Sequence, residues 1–296
     1  MRQSEERYIS LLTDFGFKRI FGTDPNKDLL INFLNSLFNG EEVIKDVRYL
    51  NSENVGDVYT ERKAIFDVYC ENERGEKFIV EMQNAYQTFF KDRSLFYSTF
   101  PIREQAPKSS DWNFCLKKVY VVALLNFKMS DEAFDSSDTI HTIALMDTKT
   151  NKVFNAKLMF KYVEVGRFDK ADNELTSLSD KWMYVLKNLS RLDDRPAALR
   201  EKIFTKLFDA AAIARFSPTE LREYEDSLKA YRDIKNSLDT AKAEGREEGR
   251  AEGRAEGRAE GRAEVAKTMM EKGMDVKIIA SLTGLSEEEI KSLSKK

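Results

Sequence analysis

The chain has 296 residues, of which 42% are hydrophobic and 33% are charged, and its formal net charge is −3. The length suffices for one large domain or two ordinary ones. The slightly acidic balance excludes a uniformly basic nucleic-acid binder, so any attraction to DNA has to be local. The longest apolar run, VYVVALL at 119–125, is too short to cross a bilayer, and the opening residues hold no apolar segment of the secretory type.

The cysteines and the histidine narrow the chemistry further. Cys70 and Cys115 stand far apart, in apolar surroundings and in no CxxC pattern, which predicts core thiols in a reducing cytoplasm. His141 is the only histidine, so zinc sites with two histidines are excluded. Because His141 lies in an alternating strand and no GxSxG motif accompanies it, we expect a packing or surface role.

Helices and strands alternate over roughly the first 170 residues, which indicates an α/β domain. Helical spacing predicts helices over 11–22, 23–40 and 85–105. Apolar or alternating runs predict strands over 42–50, 63–70, 77–83, 117–127, 139–147 and 155–163. The run at 117–127 is apolar throughout, which is typical of a strand buried on both faces.

From about residue 174 the sequence is helical, and it then becomes repetitive. Residues 243–264 repeat a four-residue unit of Ala, Glu, Gly and Arg with five glycines, which disfavours an isolated helix. Equal charges recur four residues apart and repel each other mildly. A second helix would gain from the pattern, because its Glu row can meet an Arg row. A self-association helix and a solvated helix or flexible linker therefore both stay open.

The tail at 265–296 is predicted to form a helical hairpin. Gly273 ends one helix, a second covers about 275–282, and Ser286 with Glu289 forms a capping box for the last. This layout resembles a helix-turn-helix. The last helix opens with glutamates at 287–289, which would repel phosphates, so we expect packing or protein contact rather than DNA reading.

Two carboxylates interrupt the best strand-forming segments. Asp67 lies in AIFDVYC and Glu81 in FIVEMQ, with Gln83 on the same strand face as Glu81. Antiparallel pairing of these strands around 72–75 places Asp67 near Val80 or Glu81. Because buried, unpaired carboxylates are costly, a shared Mg²⁺ would resolve the conflict and could activate water at a phosphodiester. The Gln83 amide can then orient the water or the substrate.

The same spacing also arises by chance in charged chains, and a second interpretation follows from that. In it, Asp67 and Glu81 lie at strand ends or pair with the nearby cations Lys63 and Lys77. The two interpretations differ in whether each acid has a cation of its own.

Several stretches together carry a resemblance to a known family. These are, in order, TDFGFKRIFG, FDVYC, GEKFIVEMQ and KDRSLFYST, followed by the Glu-Gly-Arg repeats and the tail with TGLSEEEI. The chain resembles the PD-(D/E)XK nuclease family transposases, also known as the recombination-promoting nuclease family. The resemblance implies a restriction-endonuclease-like α/β fold, a mixed central sheet flanked by helices, with an all-helical C-terminal extension. It also implies a metal-dependent DNA endonuclease associated with recombination or mobile elements.

The resemblance also assigns roles to individual residues. Asp67 stands as the first metal ligand and Glu81 as the second, and the carbonyl of Met82 joins the metal shell. Gln83 stands where the wider superfamily usually has lysine. That departure weakens the expected stabilisation of negative charge, and Lys18 of the first helix is a candidate to supply it.

The segment 91–118 is modestly basic and follows the proposed site directly. Lys91 and Arg93 are its first cations, and Arg93 and Tyr97 are one helical turn apart. We expect these three residues to face nucleic acid. An ordinary solvated helix face is the competing interpretation.

We therefore expect a cytoplasmic DNA endonuclease that depends on Mg²⁺ or Mn²⁺ and has no membrane partner. Four segments are predicted: a nuclease-like domain (1–170), a helical extension (171–242), a repeat helix or linker (243–264) and a helical hairpin (265–296). The C-terminal helices are expected to mediate a homo-oligomer. Two alternatives stay open: a weakly active or inactive nuclease-fold binding protein acting through its helical C-terminal part, and a nuclease that cleaves RNA.

Overall fold

The computed structural model describes residues 6–54, 64–106, 113–129, 134 and 137–293. The strands in this part of the chain are β1 (Val47–Tyr49), β2 (Glu53–Asn54), β3 (Ala64–Ile65), β4 (Val68–Asn72), β5 (Lys77–Gln83), β6 (Val119–Leu125), β7 (Ile140–Met146) and β8 (Val153–Val163). The helices are α1 (Asp14–Phe21), α2 (Lys27–Phe38), α3 (Phe90–Arg103), α4 (Leu178–Asn188), α5 (Lys202–Ala211), α6 (Pro218–Glu271), α7 (Val276–Thr283) and α8 (Glu287–Leu293).

Six of the strands form one mixed sheet in the order β1-β4-β5-β6-β8-β7. Strands β5, β6 and β8 run parallel, whereas β1–β4, β4–β5 and β7–β8 pair antiparallel. Every residue of β6 is buried, as expected for the apolar run at the centre of the sheet. The mixed central sheet with flanking helices confirms the predicted fold class.

Helices cover both faces of this sheet because alternate strand residues point to opposite sides. On one face Val80 and Val122 pack with residues of α1, α2, α4 and α5. On the other face Ile79 and Val121 pack with Phe90 and Phe100, which belong to α3. His141 of β7 is buried and contacts the ring of Phe134 at 4.6 Å between ring centres, which fits the packing role predicted for it.

The predicted strand 63–70 is wrong in one respect: it is interrupted. Within the described residues it consists of β3, which pairs with β2, a bend at Asp67, and then β4. At the bend the backbone N–H of Asp67 donates to the side chain of Glu81. Lys63 lies outside the described residues. The turn to β5 follows the prediction, with Gly75 at φ +73°.

The cysteines are both free thiols, but only one of them lies in the core. Cys70 in β4 is fully buried, as predicted. Cys115 is exposed, which corrects the prediction of a core thiol. The reason is that residues 113–118 lead into β6 without joining the sheet.

The chain divides into two compact units, residues 1–235 and 236–296. Helices α4 and α5 share a core with α1 and α2 within the first unit, so packing groups them with the sheet. The four segments predicted from the sequence stay a prediction of functional division. None of the described helices is both long and apolar enough to cross a membrane.

The second unit holds the end of α6 together with α7 and α8. Its small core consists of Ala266, Ile279 and Ile290 with surrounding methionines and leucines. Gly273 at φ +75° follows α6, and the capping box of Ser286 and Glu289 precedes α8, as predicted. The repeat at 243–264 is helical throughout rather than an irregular linker. Helical sequence on both sides makes this possible, because extending a helix is far less costly than starting one.

Candidate metal and substrate site

Asp67 and Glu81, hereafter the acid pair, face each other across two antiparallel strands. The β4–β5 register pairs Val68 with Val80 and therefore brings Asp67 opposite Glu81. The N–H of Asp67 donates to Oε1 of Glu81 at 3.3 Å. In return, Oδ2 of Asp67 accepts the backbone N–H of Met82 at 2.7 Å. Each carboxylate therefore accepts a backbone N–H from the segment that carries the other.

The acid pair lies on the side of the sheet that α3 covers. Glu81 shares its strand face with Ile79, which packs against α3 residues, and with Gln83. The side chain beside Glu81 in the neighbouring strand β6 is the small Ala123. Glu81 itself is only 6% exposed.

The pKa values of both acids are raised, and burial is the first cause in each case. Burial, with the charge of Asp67 second, raises the pKa of Glu81 to about 8. Burial also raises the pKa of Asp67, and the charge of Asp14 adds to that effect. Lys18 and Arg93 act in the opposite direction on both groups without cancelling the shift. The acid pair is therefore short of positive charge.

The alternative prediction, in which Lys77 pairs with the acid pair, is wrong. Lys77 bonds to Glu71 at 2.6 Å, on the neighbouring strand β4. Among the described residues, neither member of the acid pair makes an ion pair within 4 Å. The second partner considered, Lys63, lies outside those residues.

Gln83 is held by Arg93, a contact that the sequence did not predict. One guanidinium N–H of Arg93 donates to Oε1 of Gln83, and another donates to Oε1 of Gln87 at 2.6 Å. The guanidinium also lies 5.8 Å from the ring centre of Tyr97. Burial first, then the charge of Glu81, raises the pKa of Tyr97, which puts its hydroxyl in the field of the acid pair.

Lys18 of α1 is half-exposed and bonds to Asp14 at 2.8 Å. Burial alone would lower the pKa of Lys18, but Asp14 and the acid pair outweigh it and raise it. Helix α1, which carries Lys18, can pack closely against the carbonyl of Ser10 because Gly16 has no side chain. A Cβ there would lie 2.1 Å from the carbonyl oxygen of Ser10. Lys91 has its Nζ 5.2 Å from the ring centre of Phe134.

Comparison with protein-family models decides the relationship of the chain. The model described as PD-(D/E)XK nuclease family transposase matches residues 11–241, which include α1, the acid pair and α3. The chain belongs to this family. A second model, the C-terminal HTH domain of the Rpn/YhgA-like nuclease family, matches residues 259–295. No curated protein and no solved structure gives a significant match.

The family assignment confirms the resemblance seen in the sequence, and the HTH match agrees with the predicted helical layout of the tail. Whether the tail reads DNA or contacts protein stays a prediction. In α8 the first turn is Glu287–Glu289, as the sequence indicated.

Within this family fold, the acid pair suits a small divalent cation. It offers hard carboxylate oxygens at one point, buried and short of positive charge. Among the described residues no group of three or more His, Cys, Asp or Glu side chains could hold a metal. Any ion here would therefore complete its shell with backbone oxygen, water and substrate, which is the habit of Mg²⁺.

Sequence reasoning missed one member of this site and one contact. Asp14 acts on Asp67 and binds Lys18, and the i,i+4 spacing of Asp14 and Lys18 was the available signal. Arg93, a predicted nucleic-acid contact, also bonds to Gln83, and that bond was not predicted. Only the return of α3 over the sheet shows that contact.

Proposed function

We propose that this chain is a metal-dependent DNA endonuclease that hydrolyses phosphodiester bonds, using Mg²⁺ or Mn²⁺, in recombination or mobile-element processes. One observation carries the proposal: the carboxylates of Asp67 and Glu81 meet at one point, Glu81 is buried, and neither acid has an ion-pair partner among the described residues. Membership of the nuclease family supports it.

Asp67, Glu81 and the carbonyl of Met82 would hold the ion. When bound, such an ion polarises a phosphodiester and lowers the pKa of a coordinated water. The hydrogen bonds between the two strands fix both carboxylates in advance, so no rearrangement of the sheet is needed.

Gln83 acts as a donor in this scheme. Arginine has only donors, so the oxygen of the Gln83 amide must face Arg93, and the amide NH₂ is turned elsewhere. It can donate to a phosphate oxygen or hold the attacking water. Gln83 carries no charge where the wider superfamily usually has lysine, and Arg93 supplies positive charge next to it. Lys18 adds a second positive charge from α1.

DNA is the proposed partner. Lys91, Arg93 and Tyr97 lie on α3, which covers the face of the sheet that carries the acid pair, and the HTH match supports nucleic-acid binding by the tail. Arg93 is proposed to serve both Gln83 and the substrate phosphate. Cleavage of RNA is separated from cleavage of DNA by the assay below.

Self-association through the C-terminal helices and a cytoplasmic location are also proposed. The exposed repeat, with its rows of glutamate and arginine, supports self-association, and the two free thiols fit a cytoplasmic location. Light scattering on the full chain and on a chain ending near residue 240 tests assembly. An unchanged subunit number would overturn this role for the repeat and tail.

The activity is tested with pure protein, supercoiled plasmid and Mg²⁺, with and without chelator. Wild type is expected to nick the plasmid, and Asp67→Ala and Glu81→Ala are expected to lose nicking. A matched RNA in a parallel reaction decides which sugar is accepted.

Equal nicking by wild type and both variants would mean that another site or a contaminant is responsible. Absence of nicking with Mg²⁺ and with Mn²⁺ would favour the nuclease-fold binding protein.

A further inference from the structure

Two exposed aromatic residues follow β5, the strand that carries Glu81, and have no part in the core. Tyr86 and Phe89 lie in residues 84–89, the aromatic segment, which connects β5 to α3. Phe89 is 74% exposed and Tyr86 is 53% exposed. Tyr86 touches Phe127 edge to face, with 5.6 Å between ring centres, and Phe89 contacts no other ring within the described residues. Both rings are therefore open to contact with a ligand.

Arg93 ties the aromatic segment to the site. The same guanidinium donates to Gln83, on the face of the acid pair, and to Gln87, which lies between the two aromatic residues. The backbone N–H of Arg93 also donates to the carbonyl of Phe89 at 2.9 Å. Arg93 therefore links the segment that carries the two rings to Gln83, on the strand face of Glu81.

Positive charges follow the aromatic segment in the sequence. Two of the first four residues of α3, Lys91 and Arg93, are cations, and cations attract the phosphate backbone of a nucleic acid. Exposed rings beside such charges bind bases by stacking, and any base can stack because every base has an aromatic face. In a paired duplex those faces are covered by neighbouring base pairs, so only unpaired bases offer them.

We propose that Tyr86 and Phe89 form a stacking platform for unpaired bases, so that the preferred substrate of this site has unpaired nucleotides beside the cleaved bond. This rests on the proposed nuclease function and specifies its substrate class: single strands, bubbles, flaps or hairpin loops. Stacking on one ring corresponds to on the order of tenfold in affinity.

The test compares cleavage, with Mg²⁺, of a duplex carrying an internal unpaired bubble and of the fully paired duplex of the same sequence. Wild type is expected to cut the bubble about tenfold faster. Phe89→Ala and Tyr86→Ala are each expected to lose most of that preference while still cutting the paired duplex, and Phe89→Trp is expected to keep it. A 2-aminopurine base in the bubble should show quenched fluorescence with wild type and much less with Phe89→Ala.

Phe154→Ala is the matched control, because Phe154 is an aromatic residue that is 82% exposed on the antiparallel β7–β8 hairpin. It should leave the preference unchanged. Equal rates on both substrates, or an unchanged preference in Phe89→Ala and Tyr86→Ala, would overturn the platform and leave the nuclease standing. A change of assembly mass in these variants with unchanged cleavage would assign the rings to a protein contact and also overturn it. If wild type cuts neither substrate, the nuclease proposal itself fails, and the platform fails with it.

Discussion

Two buried glutamates lie at the C-terminal ends of parallel strands of the sheet, and only one of them has a cationic partner among the described residues. Glu81 lies near the end of β5, and Glu164 directly follows β8, which runs in the same direction. Glu164 is fully buried, accepts a bond from Nε of Arg167, and accepts the N–H of Met129 at 2.6 Å. Glu81 instead faces Asp67 and has no cation within 4 Å among the described residues.

The difference separates a structural acid from one held for a ligand. Glu164 is neutralised by the chain itself, so its charge is part of the folded structure. The acid pair has no ion-pair partner among the described residues, so ionising both carboxyls costs free energy unless a cation binds. Burial is common to both glutamates, so it does not indicate a metal site. The indication is that Glu81 has no ion-pair partner among the described residues, whereas Glu164 has one.

The largest effect is expected on cleavage. Asp67→Ala and Glu81→Ala should lower the plasmid-nicking rate by about a thousandfold or more, because several kcal/mol of transition-state stabilisation depends on the ion. Glu164→Gln, as a matched buried control, should stay within about tenfold of wild type once folding is verified by circular dichroism. A loss in Glu164→Gln equal to that in Glu81→Ala would remove the distinction between the two glutamates.

Removal of Glu164 should have the largest effect on stability. Glu164→Ala removes the acceptor of the buried Met129 N–H, which costs about 1–3 kcal/mol, and the lost bond from Arg167 Nε adds to that cost. Denaturant unfolding of the full chain, followed by circular dichroism, measures this loss. A cost below about 1 kcal/mol would show that Glu164 is not a structural acid.

In metal-free buffer, a substitution in the acid pair is expected to raise the free energy of unfolding instead of lowering it. Glu81→Gln removes a repelling carboxyl, so its free energy of unfolding should exceed that of wild type by about 1–3 kcal/mol. The pKa of Glu81 is about 8 in the folded chain and lower in the unfolded chain, so wild type loses stability as pH rises between these values. The advantage of Glu81→Gln should therefore grow from pH 5 to pH 8. A variant less stable than wild type at pH 8 would contradict the uncompensated pair.

A smaller loss of stability is expected when Asp180 is substituted, because Asp180 has ion-pair and hydrogen-bond partners of its own. Burial acts to raise its pKa, but bonds from Lys170, Ser177 and Thr176 outweigh it and lower the pKa to about 2. Asp180 thus contributes stability at neutral pH that is lost as pH falls from about 4 towards 2. Asp180→Asn should cost about 1 kcal/mol at pH 7 and almost nothing near pH 2, measured by urea unfolding. An equal cost at both pH values would assign the effect to packing.

The sheet and the acid pair were within reach of sequence reasoning. The buried run of β6, the alternation of β5 and the glycine turn before it have local causes, so their positions were predictable. Asp67 and Glu81 were found because carboxylates interrupt apolar strands. The bend at Asp67 was not predicted, and neither was the side-chain bond from the opposite strand that accompanies it.

The remaining contacts depend on tertiary structure. Arg93 and Gln83 are ten residues apart and meet only because α3 packs back over the sheet. The exposure of Tyr86 and Phe89 has the same origin, because a sequence shows aromatic residues but not which of them the core leaves uncovered. Helix in the repeat was disfavoured by glycine propensity and is observed because neighbouring helical segments extend through it.

The most direct test of the acid pair is anomalous diffraction at the manganese edge from crystals of the full chain grown with Mn²⁺. We predict one strong peak between Asp67 and Glu81, about 2 Å from a carboxylate oxygen of each. Absence of a peak there at saturating Mn²⁺, or a peak that contacts neither carboxylate, would contradict the claim that these strands hold a divalent cation.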